Sequence, residues 1–527
     1  MSFLVGSCMQ TDYLVLGSGL SALAFAALMA RSGQKVVVLE AHEFPGGYGH
    51  TFTERNKQHE YRFNAQFHYV WDCGEGELVD RVLEKLEVKD RVPFLTLNED
   101  GFDHMRIPGY SLDIPADYDL LEERLFGLFP GHRSQITRFL DEIQHLAELI
   151  RHLAPLDKAN PFRTVTRNFR CIELLKYNGK TLQQVFDRFE LPVPAQSLLA
   201  SQWPDFLLPP RDLSFFCWLV LFDGYMRGPF YPKHHFESVI DALVSVIEEN
   251  DGSVLYNQTV ERFVREGKRI AGVVASDTGD PENQCEYEGK TVVCNFDPKV
   301  AAQMIGFEHF STSMQKKLAY DYSYSNFIVY GAVKDIDLGE YGFGNWNIFH
   351  SEQLSINDVI DDMYLRDDYS KLAFAMGSPS MMSDDQTGCP EGQQLFELLT
   401  IANYAHFKQL KLRNNKDYTH KKLEIYDAMV RVIERDYVPD FSKHVCLKLL
   451  GSPTTNESYV WAPEGNSYGA NMTPKNMGLF KLGFKTGFRN LYFCNASSGF
   501  AGFAKSFQNG AQLYELLSGD EVPVSIH

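Results

Sequence analysis

Asp12-Tyr-Leu-Val-Leu16, Gly17-Ser-Gly19-Leu-Ser-Ala22, the stretch Leu23–Arg31, Ser32-Gly33 and Lys35-Val-Val-Val-Leu39-Glu40 follow one another near the start of the chain. The order is a β-rich run, a glycine turn, a helix-like stretch and a second β-rich run that ends in an acid. Each part has a task in dinucleotide binding. Gly17 permits the tight turn out of the strand, Gly19 lets the backbone approach a pyrophosphate, and Ala22 keeps helix and strand close. Leu20 and Ser21 open the helix, whose free N–H groups and partial positive charge suit phosphates. Glu40 stands about twenty residues further on, where a carboxylate accepts both ribose hydroxyls and repels a 2′-phosphate. A lone GxGxxA is weak evidence, because glycine turns after strands are common. Strand, helix and acid at the right places make it much stronger.

A second glycine pair follows in Ala41-His-Glu-Phe-Pro-Gly46-Gly47-Tyr-Gly-His50-Thr51-Phe52. NAD binding does not need it. It resembles the extended nucleotide motif of FAD oxidoreductases, in which this loop runs along the pyrophosphate and ribityl chain; the bland alternative is an ordinary loop. His50 touches the flavin or merely caps the next segment. Near the far end, Phe488–Asn495 reads as a strand entering a small-residue turn, Ala496-Ser-Ser-Gly-Phe-Ala-Gly502-Phe503, before the helix-like run Ala504–Leu517. A second helix N-terminus is thereby aimed at something anionic or electron-rich. The expected FAD contacts are Gly17, Gly19, Leu20, Ser21, Ala22, Glu40, Ala41, Gly46, Gly47, His50, Thr51, Val260, Asn495, Gly502 and Phe503.

The 527 residues exceed one core, and 44% hydrophobic with 23% charged residues describes a globular protein of several units. The formal charge is −19 and there is no basic run of the kind a nucleic-acid surface needs, which argues against a nucleic-acid partner. It also disfavours docking on anionic lipid, while leaving open peripheral membrane contact through an apolar patch. Nine cysteines are scattered without a CxxC pair, which argues against a disulfide framework and a zinc site and for a reducing, cytoplasmic compartment. No signal peptide precedes the first strand. The longest apolar run, Leu213–Phe222, is too short to span a membrane and reads as a buried helix or one at a tunnel mouth.

Between the ends, Asp251–Val274 reads as paired strands joined at Glu266-Gly267, and Glu288–Asn295 as a further strand. The expected fold is α/β: a Rossmann-like FAD-binding domain of the amine-oxidase-like kind, interleaved with an α+β substrate domain. The FAD domain comprises residues 10–95, 235–305 and 480–527, and the substrate domain 96–234 and 306–479. The latter contains helix-patterned stretches at Phe139–Leu153 and His420–Tyr437.

Four blocks carry a family resemblance: Gly46–Phe52 running into Tyr61–Val70; Leu208-Pro-Pro-Arg-Asp-Leu-Ser214 with Gly228-Pro-Phe-Tyr231-Pro-Lys233; Ser452–Tyr459 with Pro463–Gly469; and the C-terminal block. Together they resemble the phytoene desaturase superfamily of FAD oxidoreductases, in its carotenoid isomerase and retinol saturase branch, over nearly the whole chain. The resemblance implies bound FAD, a tunnel leading to the flavin, and desaturation, saturation or isomerisation of a long apolar polyene or isoprenoid such as a carotenoid or retinoid. Three positions depart from the family pattern. His234-His235 stands where two glycines follow Tyr-Pro-Lys, Asn64-Ala-Gln66 replaces Asp-x-Gly, and Asn495 replaces glycine. All three add side chains where the family keeps space.

The flavin supplies the redox chemistry and the protein supplies orientation and protons. The proton-handling candidates are His234, His235, Tyr231 and His68, histidine because it titrates near neutrality. For the histidine pair the structural alternative is a cap on the helix Phe236–Glu249, and for His68 a hydrogen-bonded core histidine. Glu457 reads as a solvated loop acid. No metal site is expected. Two other functions stand beside the polyene reading: an amine-oxidase-like flavoenzyme on a smaller substrate, motivated by the fold class, and a catalytically silent FAD-binding protein, motivated by the three departures.

Overall fold

A computed structural model describes residues 6–56, 59–152, 169–477 and 481–522, without the side chains of residues 6–8 and 169–171. In chain order the strands are β1 (Gly6–Leu16), β2 (Val36–Leu39), β3 (Thr51–Arg55), β4 (Glu60–Asn64), β5 (Phe94–Thr96), β6 (Asp103–Ile107), β7 (Tyr110–Ile114), β8 (Phe230–Pro232) and β9 (Ser253–Leu255). They continue with β10 (Gln258–Glu266), β11 (Arg269–Asp277), β12 (Asp280–Cys294), β13 (Ser325–Lys334), β14 (Asn347–Ser351), β15 (Ala373–Gly377), β16 (Gln393–Ala402), β17 (Val445–Gly451) and β18 (Leu491–Phe493).

Five strands run parallel in the order β9-β2-β1-β12-β18. Leu16 lies beside Leu39 on one side and Cys294 on the other, so the chain reverses its direction of sheet growth at β1. Such a reversal opens a crevice at the carboxyl ends of the strands. Strand β2 is Val-Val-Val-Leu with all four residues buried, as a strand covered on both faces requires. The first half of β12 pairs instead with the hairpin β10–β11, which turns between Glu266 and Arg269. Three separated pieces of chain thus share one sheet.

The helix Leu20–Arg31 is buried at every position except Arg31. Its alanines let other elements come to backbone distance, and the C-terminal helix Phe503–Ser518 does so. A Cβ added at Gly510 lies 2.8 Å from Ala24 Cβ, from the Phe25 nitrogen and from the Ser21 carbonyl oxygen. The two helices therefore pack with their N-termini near the same crevice.

The second sheet has seven strands in the order β17-β13-β16-β15-β14-β6-β7, antiparallel except where β6 meets β14. Strands β6 and β7 come from a chain piece more than two hundred residues before the others, so this sheet too is interleaved. The pairs β3–β4 and β5–β8 form two separate two-stranded sheets. The apolar run Leu213–Phe222 lies in the helix Phe215–Met226, buried along Trp218, Leu219 and Phe222. Phe139–Leu153 falls in the helix Arg133–Arg151, with Leu153 outside the described residues, and His420–Tyr437 in Asn415–Asp436. Residues 479 and 480, at the expected last boundary, lie on either side of a junction outside the described residues. Among the described residues no helix is long and apolar enough to cross a membrane. Cys73, Cys217, Cys294, Cys389, Cys446 and Cys494 are unbridged thiols.

Gly510→Val forces the two helices apart where they touch at backbone distance. The expected result is a loss of about 1–3 kcal/mol of stability, read as a lowered urea midpoint.

Candidate active site

The cradle at the carboxyl end of β1 is built from two glycine turns that meet. Gly19 bridges to Gly46, and the Gly46 N–H donates to the Ser18 carbonyl at 3.0 Å. The Ser18 N–H and hydroxyl donate to Glu40 Oε2 at 2.8 and 2.5 Å, and the His42 N–H donates to Oε1 at 2.9 Å. Glu40 is thus a buried carboxylate fixed at the end of β2. Asn295, just past β12, accepts the Gly19 N–H on Oδ1 at 3.0 Å, and a Cβ at position 19 lies 2.5 Å from that oxygen. Glycine at 19 is therefore set by the close approach of Asn295. The first-turn N–H groups of the helix Leu20–Arg31, including those of Leu20, Ser21 and Ala22, stand at the mouth of this cradle.

The remaining expected contacts surround it. Gly17 donates to Leu39 O, Ala41 O accepts from Thr278, and Gly47, His50 and Thr51 continue the second turn into β3. Val260 lies on β10, two residues after Gln258, whose N–H donates to Glu40 O at 2.8 Å. His50 is stacked on Phe44 at 3.7 Å between ring centres, and burial, helped by nearby His42, pushes its pKa down to about 4. It stays neutral. Gly502 caps the C-terminal helix, and Phe503 packs among Phe67, Phe94 and Phe236. Asn509 on that helix holds the preceding loop, accepting the Phe500 N–H and donating to Phe500 O.

A cleft lies against the second sheet, at Phe349, Met376, Glu397 and Leu399, and touches Tyr48 of the second glycine turn and Gly502, Phe503 and Ser506 of the C-terminal segment. Its cavity volume is about 190 Å³, and it is open to solvent on one side. One wall is aliphatic, with Val70, Leu221, Met376, Met382 and Leu399. Leu221 comes from the apolar helix Phe215–Met226, so that helix lines the cleft as well as filling the core. Beside the C-terminal helix, Lys505 sits over the Trp71 ring at 4.8 Å, and burial lowers its pKa.

His68 faces the cleft with Nδ1 2.7 Å from Glu397 Oε2, while His68 Nε2 and Glu397 Oε1 are buried without a hydrogen-bond partner. Burial opposes charge on His68, but the Glu397 carboxylate and more distant Asp205 outweigh it and raise its pKa. Behind this pair Tyr69 donates to Asp103 Oδ2 at 2.9 Å and reaches Asp205 Oδ2 at 3.4 Å. Burial pushes Asp103 up to about 8 and Asp205 up to about 7.

Of the four proton-handling candidates, His68 alone lines the cleft. Tyr231, His234 and His235 form a separate chain. Asn64 donates from Nδ2 to the Tyr231 hydroxyl at 2.9 Å and accepts from Thr51. The Tyr231 hydroxyl is 3.1 Å from His235 Nδ1, and His235 Nε2 is 3.1 Å from the Asp385 carbonyl. His234 caps the helix His235–Glu249 and reaches the Asp385 carboxylate at 2.7 Å. His235 holds φ +59°, a left-handed conformation that costs about 1–2 kcal/mol for a side-chain residue. Two departures from the family pattern, Asn64 and His235, therefore meet on one hydroxyl. The third, Asn495, turns inward: Oδ1 accepts the Ser498 N–H and Nδ2 donates to Phe296 O. Gln66 lines the cleft and accepts from Asn326. Glu457 is not a solvated loop acid; it lies in the helix Pro453–Tyr459, paired with Lys408 and Tyr404.

Glu397, Asp205, Asp103, Asn295 and Asn509 were not legible in the sequence. Asn295 alone carried a signal, as the polar residue directly after a strand that pairs with β1. Among the described residues no group of His, Cys, Asp and Glu is arranged to hold a metal ion.

Residues 15–86 match the family of NAD(P)-binding Rossmann-like domains. A solved structure with the same fold is cyclohexylamine oxidase from Brevibacterium oxydans, with a TM-score of 0.59 at 14% identity, covering 96% of this chain and 99% of that one. The architecture is that of the FAD-type oxidoreductases, a Rossmann-like domain interleaved with a substrate domain. Prolycopene isomerase 1, chloroplastic, of an Oncidium hybrid cultivar is 23% identical over 520 residues, covering 94% of this chain and 81% of that protein. All-trans-retinol 13,14-reductase of Danio rerio is 24% identical over 494 residues, covering 87% and 77%. The resemblance in the four motif blocks is thereby borne out: the chain is a relative of the carotenoid isomerase and retinol saturase branch of the phytoene desaturase superfamily.

Asp103 and Asp205 keep their protons in the fold through a range where the unfolded chain has released them. Stability therefore falls as pH rises from about 4 towards about 8. Asp103→Asn removes one such group, so unfolding midpoints measured at about pH 5 and about pH 8 are expected to lie closer together than in the unaltered protein.

Proposed function

We propose that the protein is an FAD-dependent oxidoreductase acting on a long apolar polyene of the carotenoid or retinoid kind. The observation that carries this reading is the adjacency of cradle and cleft. A cradle with a fixed carboxylate stands beside a cleft that Tyr48 of the second glycine turn lines together with aliphatic side chains and the His68–Glu397 pair. The residues fit the cofactor: Glu40 offers lone pairs to ribose hydroxyls, the N-terminus of the helix Leu20–Arg31 suits a phosphate, and the C-terminal helix starts at Gly502 and Phe503, which line the cleft. The relatives support the substrate class, since one is named for prolycopene and the other for all-trans-retinol.

Bound there, FAD supplies a two-electron acceptor or, when reduced, a two-electron donor. The chain does the rest. Val70, Leu221, Met376, Met382 and Leu399 align a hydrocarbon and keep water from it. Glu397 fixes the His68 ring through Nδ1 and holds a proton on it. Saturation draws on that proton, desaturation returns one, and isomerisation leaves it in place. Neither His234 nor His235 is needed in this scheme; with Tyr231 and Asn64 they tie the loop at Asp385 to the FAD-binding half. A second reading, an amine oxidase, is favoured by the two carboxyls in the cleft, Asp205 and Glu397, which suit an ammonium group.

Purified protein is expected to show flavin absorption and to release FAD on denaturation, and Glu40→Ala to weaken FAD binding about tenfold or more by loss of charge-assisted hydrogen bonds. Protein that takes up no FAD excludes this function. With FAD bound, all-trans-retinol or a carotene should perturb the flavin spectrum and be turned over aerobically or after reduction. His68→Gln should lower turnover by about a hundredfold or more with little change in binding. Amine oxidation with peroxide release, and no response to polyenes, selects the second reading.

A further inference from the structure

We infer that the cleft contains a subsite for a primary ammonium group, anchored on Asp205, and that the apolar chain it takes up ends in such a group. The inference rests on the reading of the cleft as a substrate site and deepens it by naming the end group of the chain. It depends neither on which bond of the chain reacts nor on the cofactor.

Hydrogen-bond donors and acceptors are unequally supplied along the cleft. Four tyrosines line it, and each hydroxyl commits its proton to the protein itself. Tyr48 donates to Asn466 O at 2.6 Å, Tyr468 to Pro204 O at 3.0 Å, Tyr69 to Asp103 Oδ2 at 2.9 Å and Tyr225 to Tyr69 O at 3.4 Å. Ser378 donates to Leu395 O at 2.6 Å, and the Asn347 amide is turned to Asp103. The side-chain donors that remain, the Gln66 amide and the Ser506 hydroxyl, are neutral. Among the described residues no lysine or arginine lines the cleft.

Acceptors are left over. Asp205 lies half-buried on the cleft, in no ion pair among the described residues, and its carboxyl meets only the Tyr69 hydroxyl, at 3.4 Å from Oδ2. That hydroxyl stands closer to Asp103, so Asp205 lacks a firm donor. Glu397, with a side chain 6% exposed, is bonded to His68 through Oε2, while Oε1 has no partner. The hydroxyl of Ser467, a residue 8% exposed, has none either. Both residues belong to the wall of the cleft. The bond from Tyr468 to Pro204 ties the loop that carries Ser467 to the turn Trp203–Asp205.

A wall with two carboxyls, an unmet hydroxyl and no cation is completed by a group that donates and does not accept. A primary ammonium has three N–H donors, no acceptor and a positive charge. Its bonds to carboxylates are charge-assisted. An ammonium beside Asp205 also favours the ionised carboxylate, against the burial that otherwise raises its pKa. The rings of Tyr225 and Tyr468, both close to Asp205, present aromatic surface that suits a cation. A hydroxyl offers a single donor and no charge, and a carboxylate offers acceptors only and is repelled. The rest of the ligand follows from the other wall. Val70, Leu221, Met376, Met382 and Leu399 take up hydrocarbon, and a volume of about 190 Å³ suits a slender chain rather than a fused ring system. A chain without a polar end fills this wall and leaves the acceptors unmet, so selection between chains falls on the end group.

The test is calorimetric titration of the purified full-length protein, near neutral pH and at one salt concentration, with octylamine, octanol and octanoate. Octylamine is expected to bind about tenfold or more tighter than octanol, and octanoate to bind weakest. Asp205→Asn keeps the shape of the side chain and is expected to bring octylamine to within about twofold of octanol, with octanol unchanged. Asp119→Asn removes the same charge at an exposed helix start and is expected to leave the preference intact. Equal affinity for amine and alcohol overturns the subsite, as does a preference that survives Asp205→Asn or is abolished by Asp119→Asn. Octanol binding reports an intact cleft in each variant; where a variant loses it, the three ligands compared on the unaltered protein decide. Protein that shows the preference but takes up no FAD supports the subsite and overturns the flavoenzyme reading. Protein that turns over a polyene and shows no preference does the reverse.

Discussion

The contact of Gly510 with Ser21, Ala24 and Phe25 brings residues almost five hundred positions apart to backbone distance. It depends on one helix that is nearly all small residues and another that has no side chain at the crossing. Because the helices meet there, their N-termini open near one crevice, and the loop Ala496–Gly502 is carried to the cleft by Asn509. A larger residue in either helix would move the C-terminal turn away from the glycine turns, and cradle and cleft would no longer stand side by side.

The second constraint is electrostatic. An apolar cleft excludes water, and any ionisable group placed in it must be paired or neutral. His68 and Glu397 solve this as a pair, and burial raises the pKa of Asp103 and of Asp205. The same low-dielectric surroundings that admit a hydrocarbon therefore also set the protonation of the groups that would act on it. On the nucleotide side the rule is the opposite: Glu40 is buried but receives three donors, from Ser18 and His42, so it is satisfied there.

The departures from the family pattern illustrate how side chains are absorbed by a fold. Asn64 and His235 look like intrusions near cofactor and substrate when read along the chain. In three dimensions they are successive members of one hydrogen-bonded chain through Tyr231, and the left-handed backbone at His235 is held by bonds to both ring nitrogens. Asn495 bonds back into its own turn. Asn64, His235 and Asn495 do not line the cleft, whereas Gln66, from the same departure as Asn64, does.

The dinucleotide unit was legible in the sequence because everything that defines it is local: a strand, a turn without Cβ atoms, a helix and an acid within thirty residues obey short-range steric and periodic rules. The hairpin at Glu266–Arg269 and the interleaving of the first sheet were legible for the same reason, from strand patterns and turn residues. The groups that meet at the cleft were not. His68 is linked to Glu397 across 329 positions, and Asp103, Asp205 and Asn347 reach the cluster from three other elements. A carboxylate in sequence is by default a solvated one, and nothing in its neighbours along the chain tells that burial will raise its pKa. Local covalent geometry and patterning determined the nucleotide-binding unit. Which side chains meet at the cleft was decided only by the tertiary fold, which brings His68, Asp205 and Glu397 to it from separate pieces of chain.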